Sequence, residues 1–349
     1  MKILGIDLGK YKSAACLFDS DTHETLHFTF ASFPAEFKSL LANTQPELVV
    51  IEACALTGWV HDLCQAEAFK IIVANTNQNA WCWKHVKRKT DKDDALKLTK
   101  LAALGMIVPV HIPPAESRQY RQLVKYRKRL VSRVTQVQNT IRALFNQQGI
   151  SIPVGVRAWT VAGLDALGKY RKPLAECDML SLWQGQLDIE LTALDRLWEE
   201  LHTVDLQLTN IAKQDTRVQI LESIPGVGRR TAEVVVAYID DPHRFKNARQ
   251  VSAYAGLVPR QSQSGESNRM GRITGRGPRL LRSALVEAAW AMLRYNPWAA
   301  ALYQRICGGQ KSRKKQAIIA VARQLLVRCW TLLRKQEKWN PDKAFGSVV

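Results

Sequence analysis

Residues 1–9 read MKILGIDLG and decide how the first part of the chain is interpreted. The apolar run Ile3-Leu4-Gly5-Ile6 is typical of a buried strand, and Asp7 stands at its end. A carboxylate beside buried aliphatic side chains costs free energy unless a metal ion, a phosphate clamp or a hydrogen-bond donor compensates for it. The end of this strand is therefore a candidate functional site, and the rest of the chain must supply the compensating group.

The residues that follow predict an α/β domain. Strand patterns occur at 13–18, 25–30, 48–51 and 70–74, and helix patterns begin at Pro34 and at Trp59. Three consecutive strands followed by strand–helix alternation predict a mixed sheet with flanking helices. The pattern ends at a proline-rich segment, so the first domain is predicted to span residues 1–114.

Four carboxylates stand at positions suited to one site. Asp7 ends the first strand, and Glu52 ends the strand Val49-Val50-Ile51. Thr90 is predicted to cap a helix that runs to about Leu104, with Asp93 completing a capping box. Asp91 and Asp94 are three residues apart and so share one face of that helix. Oxygen ligands at strand ends and at a nearby helix suit Mg²⁺, and two such ions can clamp a phosphodiester.

The middle of the chain, residues 115–215, is predicted to contain two long helices. Apolar residues recur at helical spacing over 116–148 and again over 194–211. The two helices are expected to pair either with each other or across a dimer as a coiled coil, and the pattern does not choose between these arrangements. The stretch 150–186 between them is irregular and carries no assignment.

Residues 216–349 are predicted to form an all-α domain with one polar interruption. The stretch 223–232, SIPGVGRRTA, resembles a helix-hairpin-helix, in which backbone N–H groups at a helix start hold a phosphate. Its predicted nucleic-acid-binding residues are Gly226, Gly228, Arg229 and Arg230. Residues 258–278 are polar, glycine-rich and basic, and they are predicted to form a functional loop.

The charge of the chain indicates a polyanionic partner. It has 50 Lys and Arg against 31 Asp and Glu, a net charge of +19, and the excess is concentrated in 84–133 and 260–340. Two basic blocks of this kind are expected for surfaces that follow nucleic-acid phosphates. The seven cysteines are widely spaced without a CxxC pair, which favours a reducing, cytoplasmic location over a zinc site. No signal peptide and no apolar stretch long enough to span a membrane are evident, so no membrane association is expected.

These motifs together resemble the DEDD-type transposase family, the serine-dependent recombinases of bacterial insertion sequences that are related to Piv-type DNA invertases. The resemblance covers nearly the full chain. It is carried by GIDLGK, VVIEACALTGW, KRKTDKDDALKL and the stretch from Gly256 to Arg282, GLVPRQSQSGESNRMGRITGRGPRLLR. Here seven residues, Glu-Ala-Cys-Ala-Leu-Thr-Gly, replace the shorter Glu-Ala-Ser/Thr-Gly turn of some relatives.

The resemblance implies a fold, a chemistry and partners. The N-terminal domain would have the RNase H fold of RuvC, with Asp7, Glu52, Asp91 and Asp94 as catalytic ligands of Mg²⁺. Ser264 would be the nucleophile that forms a phosphoserine link to DNA, with Ser262 and Ser267 as the alternative positions. Family members use a structured guide RNA, or bridge RNA, from their own element to pair with target and donor DNA, and they assemble as dimers or tetramers. The remaining predicted nucleic-acid-binding residues are Lys87, Arg88, Lys89, Arg260, Arg269, Arg272 and Arg276.

Three other functions remain open at this point. Sugar kinases and related ATPases share the opening GIDLG, but they need a second phosphate loop that this chain lacks. A RuvC-like junction resolvase would use the carboxylates and metal-activated water without the serine. A non-catalytic nucleic-acid-binding protein would use only the basic residues and the helix-hairpin-helix.

Overall fold

The computed structural model describes residues 1–75, 90–264 and 267–345, and it divides the chain into two compact units, Met1–Arg118 and Gln119–Val349. The sequence predicts three regions instead, with a boundary near residue 215. No boundary appears there because one apolar core runs from Val124 through Leu208 to Leu333. The two predicted regions beyond residue 114 therefore share their core.

Unit 1 is a five-stranded mixed sheet with the strand order β3-β2-β1-β4-β5. The strands are β1 (Lys2–Asp7), β2 (Lys12–Asp19), β3 (Thr25–Ala31), β4 (Leu48–Glu52) and β5 (Ile71–Ala74). The first three pair antiparallel, whereas β1 with β4 and β4 with β5 are parallel. This mixed sheet confirms the α/β prediction, because each apolar run forms a strand at its predicted place.

Three helices pack on this sheet, namely α1 (Pro34–Thr44), α2 (Thr57–Ala66) and α3 (Asp91–Ala103). Thr90 caps α3, and both hydrogen bonds of the predicted capping box with Asp93 are present. Helix α3 lies directly over β1 at Gly5, where an added Cβ would be 2.7 Å from Cγ2 of Thr99 and 3.1 Å from Cβ of Leu98. Only glycine allows so close an approach between this helix and this strand.

Two long helices open unit 2 and pack against each other. They are α4 (Ala115–Gln147) and α6 (Leu182–Gln214). Arg127 pairs with Asp205, and Arg133 pairs with Glu200 at 3.7 Å, which shows that the helices run antiparallel. Of the two arrangements that the sequence leaves open, the structure shows the pairing within one chain. The segment without an assignment contains α5 (Val161–Gly168) and two short 3-10 helices, and α6 begins twelve residues before the predicted apolar repeat.

The rest of unit 2 is mostly helical. Its helices are α7 (Thr216–Glu222), α8 (Arg229–Ile239), α9 (Ala248–Tyr254), α10 (Arg279–Tyr295), α11 (Pro297–Cys307), α12 (Lys314–Lys335) and α13 (Pro341–Phe345). The all-α prediction is wrong at one place, because β6 (Pro259–Ser264) and β7 (Ser267–Ile273) form an antiparallel hairpin inside the predicted loop. A two-stranded ribbon buries neither face, so its sequence lacks the apolar alternation that marks other strands.

One stretch of unit 2, Lys311–Lys335, is long and apolar enough to cross a membrane by length and composition. The expectation that no such stretch exists is therefore wrong. Half of its apolar window is buried inside the protein, and Val321, Leu325 and Leu326 are fully buried in the core. Its hydrophobicity is explained by packing, so it is weak evidence for a membrane span.

Candidate active site

Asp7 and Glu52 stand at the same edge of the sheet in unit 1. They are the last residues of the neighbouring parallel strands β1 and β4, and the register pairs Ile6 with Ile51 immediately before them. Both side chains are half-buried. The carboxyl ends of adjacent parallel strands bring side chains together at one edge, which is where ligands of open α/β sheets commonly bind.

The first turn of α3 lies towards this edge. Leu98 of α3 packs with Ile3, near the start of β1, whereas Ala95 lies over Gly5, further along the strand. Helix and strand therefore run in opposite directions, which directs residues 91–94 towards the end of β1. Asp94 is half-buried and Asp91 is exposed. Asp93 belongs to the capping box, as its predicted role requires.

The turn after Glu52 is held by Thr57, a residue that the sequence interpretation missed. The Cys54 N–H donates to Oγ1 of Thr57 at 2.8 Å, and that hydroxyl donates to the Glu52 carbonyl oxygen at 3.4 Å. Thr57 is buried at the start of α2. The longer Glu-Ala-Cys-Ala-Leu-Thr-Gly turn is thus closed by a local hydrogen-bond pattern, and a threonine at the first position of a helix is its sequence signal.

Hydrogen bonds from serines at the sheet also hold the loop after Asp7 in place. Ser32 donates to the Gly9 carbonyl oxygen at 2.7 Å, and its hydroxyl lies 2.7 Å from that of Ser13. Both serines are buried. These bonds hold the backbone next to Asp7, whereas nothing in a pattern of apolar residues marks Ser13 or Ser32 as important.

The four carboxylates fit Mg²⁺ by donor chemistry, since Mg²⁺ takes hard oxygen ligands and usually keeps several waters. Within 1–75, 90–264 and 267–345, however, no group of three or more His, Cys, Asp or Glu side chains is placed to hold one metal ion. The structure thus brings Asp7 and Glu52 to one edge with α3 directed towards it, but it does not gather a complete ligand shell.

The segment resembling a helix-hairpin-helix folds as α7, a turn and α8. Gly226 has φ +90° and packs against Met292, where an added Cβ would be 2.7 Å from the Met292 Cα. Gly228 is exposed and stands before α8 with open space around it. The first glycine therefore serves packing, and the second is the one that is open to a ligand.

The two arginines of that segment are paired within the protein. Arg229 donates to Glu222 at 3.1 Å, while Arg230 contacts Asp205 and Glu233, both at 2.8 Å. Glu233 is only 1% exposed; burial raises its pKa, and the hydrogen bonds and charge of Arg230 act in the opposite direction. Arg230 thus neutralises a buried carboxylate, and its predicted contact with nucleic acid stays a prediction.

The hairpin β6–β7 carries the predicted nucleophile. Ser264 is the last residue of β6 and pairs with Ser267, while Ser262 pairs with Arg269. Arg260, Arg269, Arg272 and Arg276 are all exposed. Residues paired across strands lie on the same face, so Arg269 stands beside Ser262. Lys87, Arg88 and Lys89, predicted to bind nucleic acid, lie outside the described residues.

Arg282 fixes the base of this hairpin, a role that the sequence interpretation missed. Its Nη1 donates to the carbonyl oxygens of Ala255, Arg276 and Gly277 at 3.0–3.1 Å. Gly277 has φ +86°, and an added Cβ there would be 3.1 Å from the Tyr254 carbonyl carbon. Backbone packing and one guanidinium therefore join the end of α9, the segment after β7 and the start of α10.

Two family models match the chain. Residues 4–149 match a transposase model, the DEDD domain of IS110-type transposases, and residues 218–304 match the model of the transposase IS116/IS110/IS902 family. The two ranges together make up more than half of the chain. They include Asp7, Glu52, Asp91 and Asp94 in the first match and Ser264 in the second.

The chain is also similar to curated proteins over nearly its whole length. It is 28% identical to the transposase for insertion sequence element IS1111A of Coxiella burnetii, over 97% of this chain and 92% of that protein. It is 27% identical to a probable family 20 transposase of Pseudomonas aeruginosa, over 97% of this chain and 98% of that protein. It is 25% identical to the pilin gene-inverting protein of Moraxella lacunata, with 97% of both covered.

These matches identify the chain as a transposase, an enzyme that cuts and transfers DNA strands by phosphoryl transfer. Within that class the chain belongs to the IS110/IS116/IS902 family. The kinase alternative fails, because the matches place both units in transposases.

Proposed function

We propose that this transposase recombines DNA through a covalent phosphoserine intermediate at Ser264, with Mg²⁺ held by Asp7, Glu52, Asp91 and Asp94. The observation that supports the proposal most is the pair of strand-end carboxylates on β1 and β4, with the first turn of α3 directed towards the same edge. The position of Ser264 at the end of an exposed hairpin held by Arg282 adds to it.

The proposed reaction conserves the number of phosphoester bonds. The Oγ of Ser264 attacks a DNA phosphorus, its proton is lost, and the bond from that phosphorus to one sugar oxygen breaks and leaves a free DNA hydroxyl. A hydroxyl of the exchanged strand then attacks the phosphoserine, and the serine oxygen leaves with a proton. No external energy source is needed, because each broken ester is replaced by another.

The carboxylates and the arginines have separate roles. Bound Mg²⁺ would neutralise charge on the non-bridging phosphate oxygens and lower the pKa of a coordinated hydroxyl. Glu52 is oriented by the turn that Thr57 closes, and Asp91 and Asp94 by the capped start of α3. The exposed Arg260, Arg269, Arg272 and Arg276 would contact phosphates next to the reacting one.

The proposed function also implies nucleic-acid partners and a homo-oligomer. The DNA partner is that of any transposase, and we propose that it comprises a target and a donor that a bridge RNA of the element pairs together. The net charge of +19 suits such a nucleic-acid complex. We also propose that the chain acts as a homo-oligomer, a dimer or a tetramer.

The test uses a plasmid that carries the coding sequence with its native flanking DNA. We expect S264A, D7N and E52Q each to abolish recombinant junctions detected by amplification, whereas S262A should retain them. Only S264A among the serine variants should also abolish the covalent protein–DNA adduct. Normal junction formation by S264A would refute the serine mechanism, and normal junction formation by D7N combined with E52Q would refute the acidic site.

A junction resolvase remains the second candidate, because all four carboxylates lie within unit 1, and hydrolysis by metal-activated water would need no residue of the hairpin. The same plasmid experiment separates the two functions. S264A should cut DNA without forming an adduct if the resolvase reaction is the native one, and it should leave the DNA uncut if the serine is the nucleophile.

A further inference from the structure

Unit 2 contains a basic groove between α4 and α10. Its volume is about 830 Å³, and it is lined chiefly by Lys125, Lys128, Arg129 and Ser132 of α4 with Arg279 and Ser283 of α10. The four cationic side chains are exposed. None of the groove-lining side chains is acidic. We call this surface the α4–α10 groove.

The cations of the groove differ from the cations beside it. Arg127 and Arg230, which line a smaller adjoining cavity, are each ion-paired with Asp205. Within the described residues, no ion pair is formed by the four cations of the groove, which are Lys125, Lys128, Arg129 and Arg279. Ion pairs within the fold thus neutralise the half-buried Arg127 and Arg230, whereas the four exposed cations of the groove remain available to an external anion.

The groove has the dimensions and chemistry of a phosphate track. At 1.5 Å per residue, Lys125 and Ser132 are separated by about 10 Å along α4, which equals the rise of about three phosphates of one strand along the axis of a duplex, at 3.4 Å each. The lining has no aromatic side chain on which an unpaired base could stack. This composition favours the backbone of a duplex over a single strand whose bases are bound.

Arg279 lies at the end of the groove that is next to the hairpin in the chain. Arg279 is the first residue of α10 and follows directly on the segment that joins β7 to α10. Arg282, one turn further along α10, holds that segment through its bonds to Arg276 and Gly277. The groove is therefore continuous in the chain with the base of the hairpin that carries Ser264. The N-terminal end of α10 adds a favourable dipole for an anion.

We propose that the α4–α10 groove binds the backbone of duplex DNA flanking the phosphodiester at which the transposase acts. Lys125, Lys128 and Arg129 contact phosphates along α4, and Arg279 contacts a phosphate next to the hairpin. The placement of the duplex beside the reacting phosphodiester rests on the proposed function. The test therefore measures DNA binding by itself, without requiring recombination.

The experiment compares Lys125→Gln combined with Lys128→Gln against a control with the same loss of charge, Lys169→Gln combined with Lys213→Gln. All four lysines are exposed in unit 2, and the control pair lies outside the groove. Fluorescence anisotropy measures binding of the full chain to a labelled duplex DNA of arbitrary sequence over a series of salt concentrations. The same strand unpaired and an equivalent RNA duplex are the comparison probes.

Each phosphate contact contributes about 0.9 to the slope of log K against log salt. We therefore expect the groove variant to lose about 1.8 from this slope with duplex DNA, which corresponds to up to about 60-fold weaker binding at 0.1 M salt. The control should lose far less, and Lys125→Arg combined with Lys128→Arg should bind like the wild type. The latter variant shows whether the positive charge, rather than the lysine side chain itself, is what the duplex requires.

The proposal is overturned if the groove variant and the control bind duplex DNA equally. A loss that is confined to the RNA duplex, or one that is equal for single-stranded DNA, also overturns it, because either result assigns the groove to another nucleic acid. S264A should bind the duplex normally even if it fails to recombine. A failure of the groove and a failure of the serine mechanism thus give different results.

Discussion

Replacing Gly5 by alanine tests how the acidic edge is built. The new Cβ would lie 2.7 Å from Cγ2 of Thr99 and 3.1 Å from Cβ of Leu98, and it would also collide with the carbonyl oxygen of Ala95. Carbon atoms normally pack at 3.5–4.0 Å, so α3 must move away from β1 by about 1 Å. Overpacking of this kind costs about 1–3 kcal/mol.

Hydrogen exchange measures this cost within unit 1. A loss of 1–3 kcal/mol in local stability corresponds to about 5- to 150-fold faster exchange of amides that open with the packing of α3 on β1. Peptides from β1 and α3 should show this acceleration, while peptides from α6 in unit 2 should not. Recombination should also fall, because α3 carries Asp91 and Asp94.

Gly168→Ala is the matched control, since the nearest atom to its added Cβ is Cδ of Arg171 at 4.0 Å. Gly168 ends α5, where alanine is also the better helix former, so this variant should be neutral or slightly more stable. Unchanged exchange in β1 and α3 of the Gly5 variant would refute the close packing of helix on strand and the placement of Asp91 and Asp94 that depends on it.

Three further predictions concern local structure. Arg282→Lys should cost about 1.5–3 kcal/mol, because an ammonium cannot replace the three guanidinium–carbonyl bonds; exchange should accelerate in 259–273, and unchanged protection there would contradict this role. Thr90→Val should cost about 0.5–2 kcal/mol through loss of the hydroxyl in the cap of α3, while its N–H bond to Asp93 remains; this loss is read from exchange in the first turns of α3. Alkylation at pH 8 should label the exposed Cys54 and spare Cys64, since burial raises the pKa of the Cys64 thiol to about 12 and keeps it protonated; rapid labelling of Cys64 in the folded chain would contradict its burial.

The part of the fold that sequence predicts well is encoded locally. The apolar runs that end at Asp7 and Glu52 form adjacent strands, and Thr90 with Asp93 forms the expected capping box. These features need only neighbouring residues to be recognised. The carboxylates reach one edge because β1 and β4 are parallel, which strand–helix alternation indicates in advance.

The features that sequence missed depend on distant backbone or on polar ribbons. Arg282 is significant because three carbonyl oxygens from separate segments meet at its guanidinium, and no periodicity encodes such a meeting. The two strands of the hairpin β6–β7 were not predicted, because an exposed ribbon has no apolar face and so lacks the alternating pattern of a strand. The sequence shows the charge of Arg230 but not that Glu233, with which it pairs, is buried.

The most direct test of the proposed serine mechanism is a search for an amino acid that becomes linked to DNA. The covalent complex would be trapped on a nicked recombination substrate, digested with nuclease and trypsin, and sequenced by mass spectrometry; residues 261–269 form one tryptic peptide with three serines. We predict a nucleotide attached through its phosphate to Ser264, and none attached to Ser262 or Ser267. Attachment to either of those serines, or the absence of any adduct during active recombination, would contradict it.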